Sequence, residues 1–181
     1  MTASWLKTKS IATCVISVLL TTPAVAEVID SGAGGFTIQF SRTIDAPVEQ
    51  VYRAVTDSVS AWWIDAHTWH GSGAAMQLDA KAGGCFCEII GQQQTMHMQV
   101  ARIVPNSLVR MLGGLGPLQG EGLHGVLDWR MQAATETTTE FTLFYRVGGY
   151  SPNDLSQWAE PVDAVMQQQI TAMQNYVEAL N

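Results

Sequence analysis

Sulfur-bearing side chains gather in one part of the sequence. Cys85 and Cys87 are two residues apart, and Met98 lies on the apolar segment that follows them. If residues 91–94 form a hairpin turn, Cys87 lies opposite Met98, and this sulfur-rich face is the natural inward one. Thiolate and thioether ligands favour Cu(I), so a soft-metal site is one hypothesis and inert packing of buried cysteines is the other. A second candidate cluster, on a Gly-rich loop, consists of Asp65, His67 and His70. We keep the interpretation without metal or cofactor, because the spacing matches no established metal motif.

The same two cysteines are the only ones that follow residue 26. On a regular strand, the Cα atoms of Cys85 and Cys87 would be about 6.6 Å apart, at the upper edge of what a disulfide spans. The spacing therefore favours a pair of free thiols over a strained bridge.

Three side chains are candidates for a general base: Glu88, His97 and His124. In the register described above, Glu88 and His97 face away from the sulfur-rich face, whereas a one-residue slip would put His97 opposite Cys87. The sequence contains no Ser/His/Asp motif, no paired carboxylates on one face and no phosphate-binding glycine motif. Catalysis would need Glu88 or His97 to lie with Tyr145 inside a cavity.

A long helix that could position these groups is predicted over residues 161–180. Its apolar residues recur at the three- and four-residue steps of one helical face. They are Val162, Met166, Ile170, Met173, Val177 and Leu180. Pro161 suits the first turn, where its missing N–H costs nothing. An isolated helix of this length is marginal in water, so the apolar stripe needs a surface to pack against.

Short strands make up most of the chain before this helix. Alternating polar and apolar residues, bounded by Gly, Pro and Asn, predict strands over residues 36–41, 75–79, 85–90, 95–104, 107–112, 125–132 and 138–147. Two short helices follow the first strand; one starts at Pro47, and the other carries Trp62 and Trp63. This order predicts the α+β class, with a curved antiparallel sheet of about six to seven strands wrapped around the C-terminal helix.

The first 26 residues have the pattern of an export signal. Two lysines precede an apolar run over residues 11–20, and Ala-Val-Ala at residues 24–26 matches a cleavage site. We therefore expect a cleaved signal peptide over residues 1–26, with cleavage near Ala26/Glu27. The mature chain, residues 27–181, would form one domain in the periplasm or outside the cell.

The charge balance excludes some partners. The formal net charge is −7, and removal of the two signal lysines would bring it to −9. Such an acidic chain argues against binding to nucleic-acid phosphates or to an anionic membrane surface. We expect no integral membrane segment after signal cleavage, because no second apolar run of sufficient length follows.

Several short motifs occur in a fixed order along the chain. They are Ile44-Asp-Ala-Pro47 with Val51-Tyr52, Trp62-Trp63, Ala82-Gly-Gly-Cys-Phe-Cys-Glu88, Leu112-Gly-Gly-Leu-Gly-Pro-Leu-Gln119, Phe141-Thr-Leu-Phe-Tyr-Arg-Val-Gly-Gly149 and Val162-Asp163. In this order the chain resembles the SRPBCC superfamily of helix-grip folds, which includes START-type lipid-binding domains, birch-pollen-allergen-like proteins and polyketide cyclases. It most resembles the branch related to the activator of the ninety-kilodalton heat-shock protein ATPase. The resemblance covers residues 36–180.

The resemblance implies a cavity between the concave sheet and the long helix. This chain departs from the family pattern in two ways. Cys85 and Cys87 stand where the family often has a basic or bulky aromatic residue after the paired glycines, and the export signal would separate the protein from a cytosolic heat-shock partner.

The inward faces of the predicted strands carry no formal charge, as Trp129 and Tyr145 on two of them illustrate. Such a wall suits an apolar or aromatic molecule, and the alternative is that these residues fill the core. Because Trp62 and Trp63 are adjacent on a helix, we expect one to pack inside and the other to lie near the cavity mouth. The candidate ligand-binding residues are Trp62, Trp63, Cys87, Met98, Trp129, Tyr145 and Met173.

These observations predict an exported protein that binds a hydrophobic, aromatic or lipid-like small molecule, without cofactor or metal. The alternative is a small-molecule enzyme of cyclase or hydrolase type on the same scaffold. A third hypothesis, a protein-binding module, would require a large exposed apolar patch.

Overall fold

The computed structural model describes residues 27–181, and the export signal predicted for residues 1–26 lies outside them. The strands are β1 (Glu27–Gly32), β2 (Gly35–Ile44), β3 (Met76–Leu78), β4 (Cys85–Ile90), β5 (Gln93–Val104), β6 (Leu108–Gly113), β7 (His124–Ala133) and β8 (Thr139–Gly148). The α-helices are α1 (Val48–Asp57), α2 (Val59–Trp62), α3 (Pro117–Gly120) and α4 (Ala159–Glu178). Among the described residues, no helix has the length and apolar character needed to cross a bilayer.

All eight strands form one antiparallel sheet in the order β1-β2-β8-β7-β6-β5-β4-β3. The predicted α+β class and helix-grip architecture are confirmed. The sheet has eight strands where six to seven were expected, because Glu27–Gly32 pairs with β2 as a further edge strand.

The long helix α4 packs its apolar stripe against the sheet, as predicted. Met166, Ile170, Met173 and Val177 are all buried in the core. Leu180, which was placed on the same stripe, is 58% exposed. The difference arises because the helix ends at Glu178, so that Leu180 no longer follows the helical period.

The inward faces of the central strands follow the predicted alternation. The buried residues are Phe36, Ile38 and Phe40 on β2, Leu127, Trp129 and Met131 on β7, and Phe141, Leu143, Tyr145 and Val147 on β8. Cross-strand pairs such as Leu127 with Tyr145 and Trp129 with Leu143 join them into one apolar layer beneath α4.

The opposite face of the sheet holds a buried carboxylate under two arginines. Arg110 Nε lies 2.7 Å from Asp128 Oδ1, and Arg130 Nη2 lies 2.7 Å from Asp128 Oδ2. Burial raises the pKa of Asp128, but the hydrogen bonds from Arg110 and Arg130 outweigh that effect and hold the pKa below its usual value. Asp128 lies on the outer face of the sheet and is nevertheless fully buried beneath the two arginines.

The predicted register between β4 and β5 is wrong. The hairpin turn contains only Gly91 and Gln92, with Gly91 at φ 60°, so that Ile90 pairs with Gln93. Farther from the turn, Cys87 pairs with Met96 and Phe86 pairs with Met98, which leaves His97 as an extra residue in a β-bulge.

This bulge changes which residues face the core. The inward face of β4 carries Phe86 and Glu88, not the cysteines. Met98 faces inward, while Met96 is 53% exposed. The soft-metal hypothesis depended on Cys87 lying opposite Met98, and the structure does not bring those two side chains together.

Cys85 and Cys87 are joined as a disulfide in the structure, whereas the sequence favoured free thiols. Their Cα atoms are 5.4 Å apart, within the usual range for a disulfide. The regular-strand estimate was too long because residues 85–87 are less extended than a regular strand.

Candidate functional site

A cavity of about 360 Å³ lies between the first half of α4, the loop that follows α2 and the connection between β6 and β7. Its wall is mainly aromatic and aliphatic. The large apolar residues that line it are Trp63, Trp69, Leu115, Leu118, Trp158, Val162 and Val165. This size is at the lower end of the range of about 300–1,000 Å³ that small-molecule sites occupy.

His97 lines this cavity from the bulge in β5. The side chain is 4% exposed, and its Nε2 atom lies 3.4 Å from Glu88 Oε2. Neither ring nitrogen has a hydrogen-bond partner among residues 27–181. Burial lowers the pKa of His97, and the nearby Glu88 carboxylate opposes this effect only in part. The imidazole is therefore neutral at neutral pH.

Glu88 lies behind His97 and is fully buried. Its carboxylate accepts two backbone hydrogen bonds, from Trp69 N at 2.8 Å and from His70 N at 2.6 Å. Glu88 therefore fixes the loop that carries Trp69 into the cavity wall. The prediction that Glu88 and His97 face away from the interior is wrong, because the bulge turns both of them inward.

Other hydrogen bonds attach the same loop to α4. Ile64 N donates to Gln169 Oε1 at 3.0 Å, and His67 Nε2 lies 2.9 Å from Gln168 Oε1. The loop is thus held by the sheet on one side and by the helix on the other.

The proposed metal cluster on this loop is not assembled. Asp65 Oδ1 accepts a hydrogen bond from Gly73 N, His67 contacts α4, and His70 Nε2 contacts Thr95 Oγ1 at 3.2 Å. Across the described part of the chain, no three His, Cys, Asp or Glu side chains are grouped closely enough to hold a metal ion.

Gly113 allows β6 to pass close to the bulge. A Cβ atom at this position would lie 2.9 Å from the carbonyl oxygen of His97, and Gly113 has φ 146°. A side chain here would clash with the backbone of His97, so a glycine at this position allows the bulge to keep its place in the cavity wall.

Tyr145 is buried in the core and stabilises the cavity wall through a hydrogen bond with the backbone. Its hydroxyl oxygen accepts a hydrogen bond of 3.1 Å from the N–H of Leu115, a lining residue. Burial raises the pKa of Tyr145 more than the hydrogen bond from Leu115 lowers it, and the resulting pKa is about 12. The phenol therefore stays neutral.

We expect Tyr145→Phe to lower the free energy of unfolding by about 1–3 kcal/mol, because the N–H of Leu115 loses its buried partner. Urea denaturation measures this change. Tyr150→Phe, at an exposed tyrosine, is the matched control and should have little effect. Equal stability of the two variants would mean that the Tyr145 hydroxyl does not support the cavity wall.

The structure separates the predicted site residues into three groups. Trp63 lines the cavity. Five of the residues are buried in the core and do not line it: Trp62, Met98, Trp129, Tyr145 and Met173. Cys87 lies on the other face of β4. Lining residues such as Leu115 and Trp158 were not predicted, because they come from loops and a helix start without apolar periodicity.

Both tryptophans of the Trp-Trp pair face inward, contrary to the prediction that only one would do so. Helix α2 ends at Trp62, and Trp63 has an extended backbone, which removes the helical restriction. Trp62 Nε1 donates to Ala54 O at 2.8 Å, and Trp63 Nε1 donates to His67 O at 3.1 Å. The expectation that one of them lies near the cavity is met by Trp63.

The model of the family described as polyketide cyclase/dehydrase and lipid transport matches residues 35–178. The chain belongs to this family. The match places it in the polyketide-cyclase-like branch of the SRPBCC superfamily, and the closer resemblance to the heat-shock ATPase activator stays a prediction. No curated protein sequence matches the chain.

Solved structures share the fold of this family member. CalU16 from Micromonospora echinospora aligns with a TM-score of 0.59 at 15% identity over 86% of this chain and 84% of its own. MLL2253 from Mesorhizobium loti aligns with a TM-score of 0.56 at 16% identity, over 80% of this chain and 98% of its own. DynU16, from the dynemicin biosynthetic locus, aligns with a TM-score of 0.55 at 18% identity. The alignment covers 78% of this chain but only 47% of the length of DynU16. At these identities the similarity shows the fold alone.

Proposed function

We propose that this protein is exported and binds an apolar small molecule, aromatic or lipid-like, in the cavity between the sheet and α4. The observation that carries the proposal is the cavity itself, which is walled by aromatic and aliphatic side chains; residues 27–181 contribute no Asp, Glu, Lys or Arg to its lining. Burial of apolar ligand surface would drive binding, at roughly 25 cal/mol per Å² removed from water. The lipid-transport part of the family description agrees with this function.

The export part of the proposal rests on the pattern of the first 26 residues. The test is the mass of the protein recovered from the periplasm and the medium of an expressing bacterium. A chain that starts near Glu27 in either fraction would support export, and an intact chain confined to the cytoplasm would contradict it.

Filling the cavity should abolish binding without unfolding the protein. Val165 lines the cavity and is only partly buried, whereas its neighbour Ala164 is exposed on the same helix. We expect Val165→Trp to lose the apolar molecule that co-purifies with the wild-type protein, and Ala164→Trp to retain it. Native mass spectrometry of gently purified protein measures both. Retention by both variants, or no bound molecule and no uptake of an apolar dye by the wild type, would contradict the proposal.

A second candidate function, a small-molecule enzyme of cyclase or hydrolase type, is favoured by one observation. A neutral histidine beside a buried carboxylate lies at the cavity wall, and such a pair can accept a proton from a bound substrate. The test is to incubate the co-purifying molecule with fresh protein and follow it by chromatography. Conversion to a product, lost in His97→Gln, would support the enzyme; unchanged recovery would support the carrier.

A further inference from the structure

The imidazole of His97 is a buried polar group without a protein partner. It is 4% exposed, it lines the cavity, and neither ring nitrogen has a hydrogen bond within the described chain. Leaving a buried polar group unpaired is costly, and native structures usually supply a partner. A bound molecule in the cavity is the partner that this position can accept after a small rotation of the ring, because Nδ1 has less than 1 Å² of accessible surface.

The surroundings of His97 decide which hydrogen-bonding role remains open. Nε2 lies 3.4 Å from the Glu88 carboxylate, so in the neutral ring the proton belongs on Nε2. Nδ1 then carries the free lone pair and can only accept a hydrogen bond. Glu88 cannot swing away easily, since both of its oxygens are held by backbone N–H groups.

Charge excludes an acidic ligand. Within the described part of the chain, no Lys or Arg lines the cavity, and the titratable residues that line it are His67 and His97. The charged and titratable groups that act on His97 are Glu88 on β4 and His70 on the loop. A carboxylate or phosphate in this cavity would be buried without a cation and would lie near the negative charge of Glu88.

We propose that the cavity selects apolar molecules that carry one neutral hydroxyl group, whose O–H donates a hydrogen bond to Nδ1 of His97. This inference rests on the proposed small-molecule binding and names the ligand class for that site. The aromatic and aliphatic wall holds the ring or chain of the ligand, and His97 fixes its orientation.

The test compares two probes of nearly equal size, 2-naphthol and 2-methylnaphthalene, by isothermal titration calorimetry. The ratio of their dissociation constants is measured in the wild type and in His97→Phe. The cost of transferring each probe out of water is the same for both proteins and cancels in the comparison. The change in the ratio between the two proteins therefore isolates the contribution of His97. We expect the preference for 2-naphthol to fall about tenfold in the variant, the value of one buried hydrogen bond.

Three outcomes separate this inference from the function on which it rests. If neither probe binds the wild type, binding in the cavity fails and the inference fails with it. If both probes bind and the ratio is the same in wild type and variant, the cavity binds apolar molecules but His97 does not select a hydroxyl. If 2-naphthoate binds more tightly than 2-naphthol at neutral pH, the ligand is an acid and the inference is overturned.

A measurement on the wild type alone decides the question if His97→Phe does not fold. Below its lowered pKa, His97 gains a second proton and Nδ1 can no longer accept. Acidification through that pKa should therefore weaken binding of 2-naphthol and leave binding of 2-methylnaphthalene unchanged. Parallel behaviour of the two probes while the protein stays folded would overturn the inference.

Discussion

Glu88→Ala should lower the free energy of unfolding by about 3 kcal/mol, since two partly buried backbone N–H groups would lose their acceptor at about 1–3 kcal/mol each. These are the N–H groups of Trp69 and His70, which the carboxylate holds at 2.8 and 2.6 Å. The loop should also become mobile and move Trp69 out of the cavity wall. Urea denaturation measures the first effect, and hydrogen exchange of the two amides measures the second.

The matched control for this change is Glu140→Ala. Glu140 also lies on a strand, but its side chain is exposed. We expect less than about 0.5 kcal/mol from it, as for most surface substitutions. Glu88→Gln keeps one acceptor oxygen and should fall between the two. If Glu88→Ala were as stable as Glu140→Ala, the carboxylate would not anchor the loop.

Trp129→Ala should cost about 3–5 kcal/mol of stability, the range for loss of a large aromatic side chain from a packed core. The Trp129 ring is fully buried and lies 6.0 Å from the ring of Trp62 and 5.7 Å from that of Phe86, both in edge-on contact. Its removal leaves a void that those two rings cannot fill without leaving their other contacts. Chemical denaturation measures the loss.

Trp158→Ala provides the contrast, because Trp158 lines the cavity and is only partly buried. We expect a smaller loss of stability than for Trp129→Ala and a larger loss of affinity for an apolar probe. The opposite result, with Trp129 controlling affinity and Trp158 controlling stability, would mean that ligands bind deeper in the core than the cavity described here.

The parts of the fold that could be predicted are those where burial has a simple period. Strand β8 alternates strictly, and β2 and β7 alternate apart from the buried residues Thr37 and Asp128. Helix α4 repeats its apolar residues every three to four positions. The order of the elements then allowed few topologies. The inward faces of β4 and β5 could not be predicted in the same way, because Phe86 and Cys87 are both suitable for burial and alternation does not choose between them.

The position of His97 shows most clearly what could not be predicted from the sequence. A bulge of one residue depends on how two strands coil around the core, and no residue near Met96 or Met98 marks it in the sequence. The cavity depends in turn on loops that meet only in the folded chain, such as the one held by Glu88. The sequence did name Glu88 and His97 among three candidate bases, but it did not give the inward orientation that the structure shows for them.

The pairing of β2 with β8 also determines when the cavity can first form. Ser41 Oγ and Thr142 Oγ1 are 2.7 Å apart although 101 residues separate them in the chain, and α4 follows later still. The sheet can therefore close only once β8 is available, and α4 can cover it only afterwards. Until then the apolar inner face has no cover, which makes chains that lack α4 prone to aggregation. The cavity consequently forms last, and termination of the chain before α4 would produce a sheet without it.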